Sequence, residues 1–188
     1  MAHIVLASSS PRRRELLLQL GLEFEVFSPN IDESIYPQEN IQQYVERLAC
    51  DKADAVLEKF PESVIIAADT SLGVDDKILG KPESKQHAFE IWSLISGRKH
   101  HVFSGVCVRT KEQKLSIVVQ TEVEFQCLSL EDMENYWATG EPLGKAGAYA
   151  IQGIAARYIP RIVGSYTNVV GLPLFETAKL LQTIKTLH

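Results

Sequence analysis

Ala7-Ser8-Ser9-Ser10-Pro11-Arg12-Arg13-Arg14 is the stretch from which the reading of this chain starts. An apolar run, Ile4-Val5-Leu6, precedes it, and Leu16, Leu17, Leu18 and Leu20 follow. That is the outline of a strand, a tight loop and a helix. Pro11 suits the first helical position and Ser10 the cap before it. The arginines then fall in the first helical turn, where the macrodipole is already positive. Cations there are locally unfavourable and call for a negative neighbour, either an acidic side chain or a bound anion such as phosphate. Two readings stand: a capped helix with solvated arginines, or one wall of an anion site.

Working outward, the first helix should run from Pro11 to Leu20 and stop at Gly21. Leu22 to Phe27 reads as a strand, and Asp32-Glu33 falls in the loop beyond it. Asn40 is a good cap for a helix ending before Pro61, with Ile41, Tyr44, Val45, Leu48, Val56 and Leu57 at helical spacing. Lys52 lies in that apolar stripe. It either snorkels to the edge or points into a pocket holding an anion. Val64-Ile65-Ile66-Ala67-Ala68 is a continuous apolar run of the kind buried in a central sheet, and it ends in Asp69-Thr70. A carboxylate at the carboxyl end of such a strand is where open α/β sheets put ligands; the alternative is a turn cap. Asp75-Asp76-Lys77 suggests a hairpin tip, and Gly80-Lys81-Pro82 a turn presenting a second lysine.

The remaining chain reads as a helix over Ser84 to Ser96 and a hairpin of two strands, His100 to Arg109 and Leu115 to Leu128. A helix opened by Ser129-Leu130-Glu131-Asp132 follows, the outline of a capping box. Gly144 to Gly153 carries three glycines and Lys145, a sign of backbone brought close to something. Ile154 to Val163 reads as a strand, with Pro160 favouring an edge. Gly164 to Asn168 reads as a loop, and Leu174 to Leu187 as the last helix. His100-His101 is a poor ligand pair, because adjacent strand residues face opposite ways.

The totals narrow the possibilities. At 188 residues, with 45% hydrophobic and 23% charged, the chain can build a real core and is read as a single domain over 1–188. A net charge of -5 argues against broad nucleic-acid binding without excluding a local cationic pocket. The three cysteines, Cys50, Cys107 and Cys127, suggest neither a disulfide framework nor a zinc site, and each sits among apolar residues as an inert thiol would. A cytoplasmic setting follows, with no signal peptide or membrane span visible. Neither a G-x-S-x-G elbow nor an H-E-x-x-H motif occurs. What recurs is cationic groups at separate loops and ends: Arg12 or Arg13, Lys52, Lys81 and Lys145. Ser8, Ser9 and Ser10 supply hydroxyls, and Glu33 and Asp69 supply carboxylates. If these converge, they make a polyphosphate site with acid groups for a divalent metal.

With these motifs in order, the sequence resembles the Maf family of nucleoside triphosphate pyrophosphatases. Ala7 to Arg13 matches its N-terminal loop, and Ala68-Asp69-Thr70 the motif carrying its catalytic aspartate. Gly80-Lys81-Pro82, Lys145 to Tyr149 with Ile151-Gln152-Gly153, and Gly164-Ser165-Tyr166 with Asn168 to Pro173 match the rest. The resemblance implies an α/β fold like that of the inosine triphosphate pyrophosphatases: a long mixed sheet flanked by helices, and two lobes with a central cleft. It implies cleavage of a nucleoside triphosphate to the monophosphate and pyrophosphate, dependent on Mg2+ or Mn2+, by a homodimer. Asp69 would be the catalytic proton acceptor and, with Glu33, a metal ligand. Ser8, Arg12, Arg13, Lys52, Thr70, Lys81 and Gln152 would bind substrate. Arg12, Thr70 and Gln152 stand where the branch acting on 7-methyl-GTP has Trp, Gln and Glu, and so look like the dTTP/UTP branch. A cationic methylated base suits an aromatic face or a carboxylate, whereas a neutral pyrimidine edge needs an amide. Gly144, Ala150 and Ser71-Leu72 depart from that branch's common form. A 7-methyl-GTP pyrophosphatase, or a nucleotide-binding regulator of septum formation acting without hydrolysis, is the alternative.

Overall fold

The structure, a computed structural model, describes residues 3–75 and 77–184. Strand β1 (Ile4–Ala7), helix α1 (Pro11–Leu18) and the short strand β2 (Glu25–Val26) come first. Helix α2 (Ile41–Leu57), strands β3 (Val64–Val74) and β4 (Lys77–Leu79), and helix α3 (Lys85–Ile95) follow. Strands β5 (Lys99–Arg109) and β6 (Lys114–Glu124) lead to helix α4 (Leu130–Ala138). Two 3-10 turns, Ala146–Ala148 and Ile154–Tyr158, precede strand β7 (Arg161–Val163) and helices α5 (Tyr166–Val170) and α6 (Leu174–Thr183). The strands form a mixed sheet in the order β2-β1-β3-β5-β6-β7, with β4 paired to β3. Pairing is parallel between β1 and both β2 and β3, and antiparallel in β3–β4 and β6–β7. The expected mixed α/β sheet is therefore present. No helix among the described residues is long and apolar enough to cross a membrane.

The chain divides into two compact units, Met1–Thr70 with Ser104–Val119 and Gly171–His188, and Ser71–Phe103 with Gln120–Val170. In the first, Val5, Ala7, Ile65, Ala67 and Cys107 from the sheet pack against Ala49, Ala53 and Val56 of α2. Small residues on both sides let helix and sheet approach closely, and Gly105 of β5 marks the limit. A Cβ there would lie 2.2 Å from the Val45 carbonyl oxygen and 2.8 Å from the Glu46 nitrogen, backbone atoms that cannot step aside. Gly105→Ala should therefore cost about 3 kcal/mol through overpacking, a fall of roughly 6–12 °C in Tm by thermal melt. An unchanged Tm would mean that α2 does not sit this close.

In the second unit the core is aromatic. Trp92 stacks near Tyr136 with centroids 5.3 Å apart, and Phe125 packs edge-on to Tyr149 at 4.9 Å. The Trp92 indole N–H donates to the Ala148 carbonyl at 3.1 Å. His100, 1% exposed, meets the Tyr149 hydroxyl at 2.7 Å, and burial pulls its pKa down to about 3, so it is a neutral core residue.

Several elements differ from the sequence reading. The strand expected to end at Ala68 continues to Val74, because β4 pairs with its second half through Leu72, Gly73 and Val74. Leu22 to Phe27 keeps only two strand residues, and α1 ends at Leu18, two residues early. The second hairpin strand stops at Glu124, not Leu128. Only 161–163 of the expected strand from Ile154 is extended. The Glu141 carboxylate accepts from the Ile154 and Ala155 amides at 2.8 and 3.2 Å and so caps a 3-10 turn there instead. Gly164 to Asn168, expected as a loop, instead holds the start of α5 at Tyr166, where buried Asn168 donates to the Val102 carbonyl and Thr121. Cys127 is exposed, against the reading of three core thiols. Asp76 of the hairpin tip and the end of the last helix, 185–187, lie outside the described residues.

Candidate functional site

In the first unit the opening loop is built as its residues dictate. The Ser10 side chain accepts from the Arg13 amide, and Pro11 holds the first helical position. No acidic residue lies in the first turn of α1 to offset the helix dipole beneath the arginines there. Ser8 is buried and accepts from the Ser10 amide at 3.1 Å. Arg13 is held on three sides. Its Nε donates to the Gly171 carbonyl at 2.8 Å, Nη2 to the Thr70 hydroxyl at 3.1 Å, and Nη1 to the Ser8 hydroxyl at 3.4 Å. Thr70 is in turn 2.7 Å from the Ser104 hydroxyl. Desolvation and the positive charge of Arg12 pull the Arg13 pKa below its ordinary value, against the opposing charges of Asp69 and Glu33. A guanidinium held on three sides in this way is a fixed fork of donors.

The carboxylates meet on Lys52. Side chains alternate along β3, so Ile65, Ala67 and Asp69 share one face. Ile65 and Ala67 pack under α2, and Asp69 emerges two residues past Ala67, the last β3 residue paired with β1. Lys52 lies on the buried face of α2 between Ala49 and Val56. Its Nζ is 2.7 Å from Asp69 Oδ1 and 2.7 Å from Glu33 Oε1, with Lys52 9% and Asp69 8% exposed. Asp69 thus lies inside a strand rather than at its end, but where its parallel neighbour stops.

Glu33 and Asp69 are hard oxygen donors of the kind that could hold Mg2+ or Mn2+. Among the described residues no group of three His, Cys, Asp or Glu could hold a metal by itself.

Lys81 and Gln152 belong to the second unit, and both are exposed there. The Gly80 carbonyl accepts from the Gly147 amide at 3.0 Å, which joins the Lys81 turn to the 146–148 turn. Gly147 has φ +70°, and a Cβ on it would strike the Leu72 side chain at 2.2 Å, so that residue must be glycine with Leu72 in place. Gln152 sits in the turn closed by the Gly153 amide on the Ala150 carbonyl at 3.0 Å, next to the Glu141 cap. The structure thus joins Ser8, Arg13 and Thr70 in one hydrogen-bonded set and Glu33, Lys52 and Asp69 in another, with Arg12 beside them.

Four participants were missed. Tyr44, read as part of an apolar stripe, donates its hydroxyl to the Glu33 carbonyl at 2.9 Å. Burial, then the charges of Asp69 and Glu33, push its pKa up to about 12. Arg47 bonds the Ser34 carbonyl and Glu39. Ser104 and the Gly171 carbonyl hold Thr70 and Arg13. Only Ser104 left a signal, as a polar residue inside the apolar run Val102 to Val108.

A family model described as Maf-like protein matches residues 3–184. A protein of Acinetobacter baylyi named dTTP/UTP pyrophosphatase is 68% identical over 183 residues, covering 97% of this chain and all of its own length. One of the same name from Vibrio parahaemolyticus is 48% identical over 180 residues, 95% of each chain. The crystal structure of a nucleoside-triphosphatase/dITP/XTP pyrophosphatase from Mycobacterium abscessus aligns with a TM-score of 0.44 at 17% identity, over 65% of this chain and 74% of that one.

Proposed function

This chain belongs to the Maf-like protein family, and on that footing we propose that it hydrolyses dTTP, UTP and modified pyrimidine analogues to the nucleoside monophosphate and pyrophosphate. The observation that carries this reading is the near full-length identity with the Acinetobacter baylyi relative of that name. The geometry of the first unit supports it, because fixed guanidinium donors and a lysine-paired carboxylate suit anhydride cleavage beside a polyphosphate. Ser8, Arg12 and Arg13 take phosphate oxygens, which concentrate negative charge at the amino end of α1. Lys52 draws the Asp69 and Glu33 carboxylates together. Asp69 accepts a proton from the water that attacks the α-phosphorus; the P–O bond to the β-phosphate breaks, and pyrophosphate leaves. Asp69 and Glu33 would hold Mg2+ or Mn2+, which would supply positive charge beside the polyphosphate. Thr70, besides orienting Arg13, and Lys81 and Gln152 complete our substrate set, with Gln152 offering its amide to the pyrimidine edge.

We read the chain as one Maf-like domain that works as a homodimer in the cytoplasm. The single family match over 3–184 and the three free thiols support the domain and the compartment. The test offers dTTP, UTP, CTP and 7-methyl-GTP with Mg2+ or Mn2+ and assays both phosphate products. Pyrophosphate with a dTTP and UTP preference is expected. Orthophosphate release overturns the reaction, and a 7-methyl-GTP preference overturns the substrate assignment.

A further inference from the structure

Glu33 stands in a long connection, from the end of β2 at Val26 to the start of α2 at Ile41, that has no regular structure. Its carboxylate nevertheless reaches Lys52 at 2.7 Å. A connection of this length samples many positions unless tertiary contacts order it. The ordering contacts converge on Arg47. Its Nε and Nη2 grip the two oxygens of Glu39 at 2.6 and 2.8 Å, a bidentate pair. Nη2 also donates to the Ser34 carbonyl at 2.9 Å, one residue from Glu33, and Nη1 is 3.5 Å from Asp51 one turn along α2. The guanidinium lies 3.8 Å over the ring of Tyr36 and 5.7 Å from that of Tyr44. Glu39 closes the loop on itself by accepting from the Tyr36 amide at 3.0 Å.

Arg47 thus holds 34, 36 and 39 at once, while sitting five residues before Lys52 on the same helix. One rigid element carries both the clamp and the ammonium. The Tyr44 hydroxyl, on the Glu33 carbonyl itself, sets the remaining end. We propose that Arg47 is a positioning residue for Glu33: it fastens the 34–39 loop to α2 so that the Glu33 carboxylate is delivered to Lys52 and Asp69. Arg47 touches neither carboxylate and acts only through the loop. The inference rests on the role given to Glu33 above.

A double-mutant cycle tests it. Arg47→Ala is expected to lower kcat/KM for dTTP on the order of 10–100-fold in the wild-type background, and by less than about threefold when Glu33 is already alanine. A general loss of stability would act in both backgrounds alike. Amide exchange by NMR gives a readout independent of turnover: the Tyr36 and Glu39 amides should exchange at least about tenfold faster in Arg47→Ala. Should that variant fold poorly, Glu39→Gln weakens the bidentate partner from the loop side and should show the same two effects in smaller measure. A wild type without turnover defeats the functional reading, and exchange alone then decides the placement. An active wild type in which Arg47→Ala costs as much without Glu33 as with it, or unchanged exchange in any case, overturns the inference.

Discussion

Asp69→Asn should lower kcat for dTTP by a factor on the order of 10^3 while leaving the circular dichroism spectrum unchanged. Asparagine has the same shape, and its amide oxygen still accepts from Lys52 Nζ where Asp69 Oδ1 does at 2.7 Å. Lys52 also keeps Glu33 at 2.7 Å, so no ammonium is left buried without a countercharge. What disappears is the negative charge and the basic oxygen. A group that removes a proton in the transition state contributes about 10^2–10^4 in rate, and one that also helps hold a metal contributes more. Turnover and melting should therefore separate. A variant within about tenfold of wild type would take proton acceptance away from Asp69.

Lys52→Met should do the reverse and damage both. Methionine matches the length of the lysine stem and would sit well against Leu48, Ala49 and Val56, all buried on α2. The loss is electrostatic. Asp69 is nearly inaccessible to water, and removing Lys52 leaves its charge facing that of Glu33. Breaking a buried pair from one side costs about 3–5 kcal/mol; because the Glu33 side chain is half-exposed, the low end applies. A fall of roughly 6–12 °C in Tm is expected for a chain of this size. Turnover should fall by at least about 100-fold, since the carboxylates lose the cation that draws them together. A variant as stable as wild type would show that the ion pair with Lys52 does not stabilise the fold.

Of the two readings of the opening loop, solvated arginines do not describe Arg13. Arginines in the first turn of α1 have no acidic residue of that turn to offset them, and Arg13 is held by Gly171, Thr70 and Ser8. A merely solvated arginine would not be fixed in this way. Lys52, which on periodicity alone could have snorkelled, is buried on two carboxylates.

Local signals were legible wherever the physics is local. Asn40 and Ser129 make the caps their identities call for, because a cap needs one side chain and amides three residues away. The apolar run from Val64 announced a buried strand, since continuous hydrophobicity is what burial on both faces requires. The motifs of the first unit were legible too, as residue types: hydroxyls, arginines, a stripe lysine, an aspartate after a strand. Their pairing was not. That β3 continues to Val74 depends on β4 returning to it, a contact with no trace in Asp69-Thr70 itself. The strand expected at Ile154 became a turn because Glu141, thirteen residues away, caps it. That Thr70 and Gly171 serve Arg13 follows from bringing residues 13, 70 and 171 together. Composition and spacing by themselves determined that the chain carries a sheet, capped helices and the residue types an anion site would use, because those depend on neighbours within a few residues. Only the tertiary structure decided that Glu33 and Asp69 share one ammonium and that Arg47 secures the loop between them, because electrostatic pairing depends on distance in space, which separation along the chain does not set.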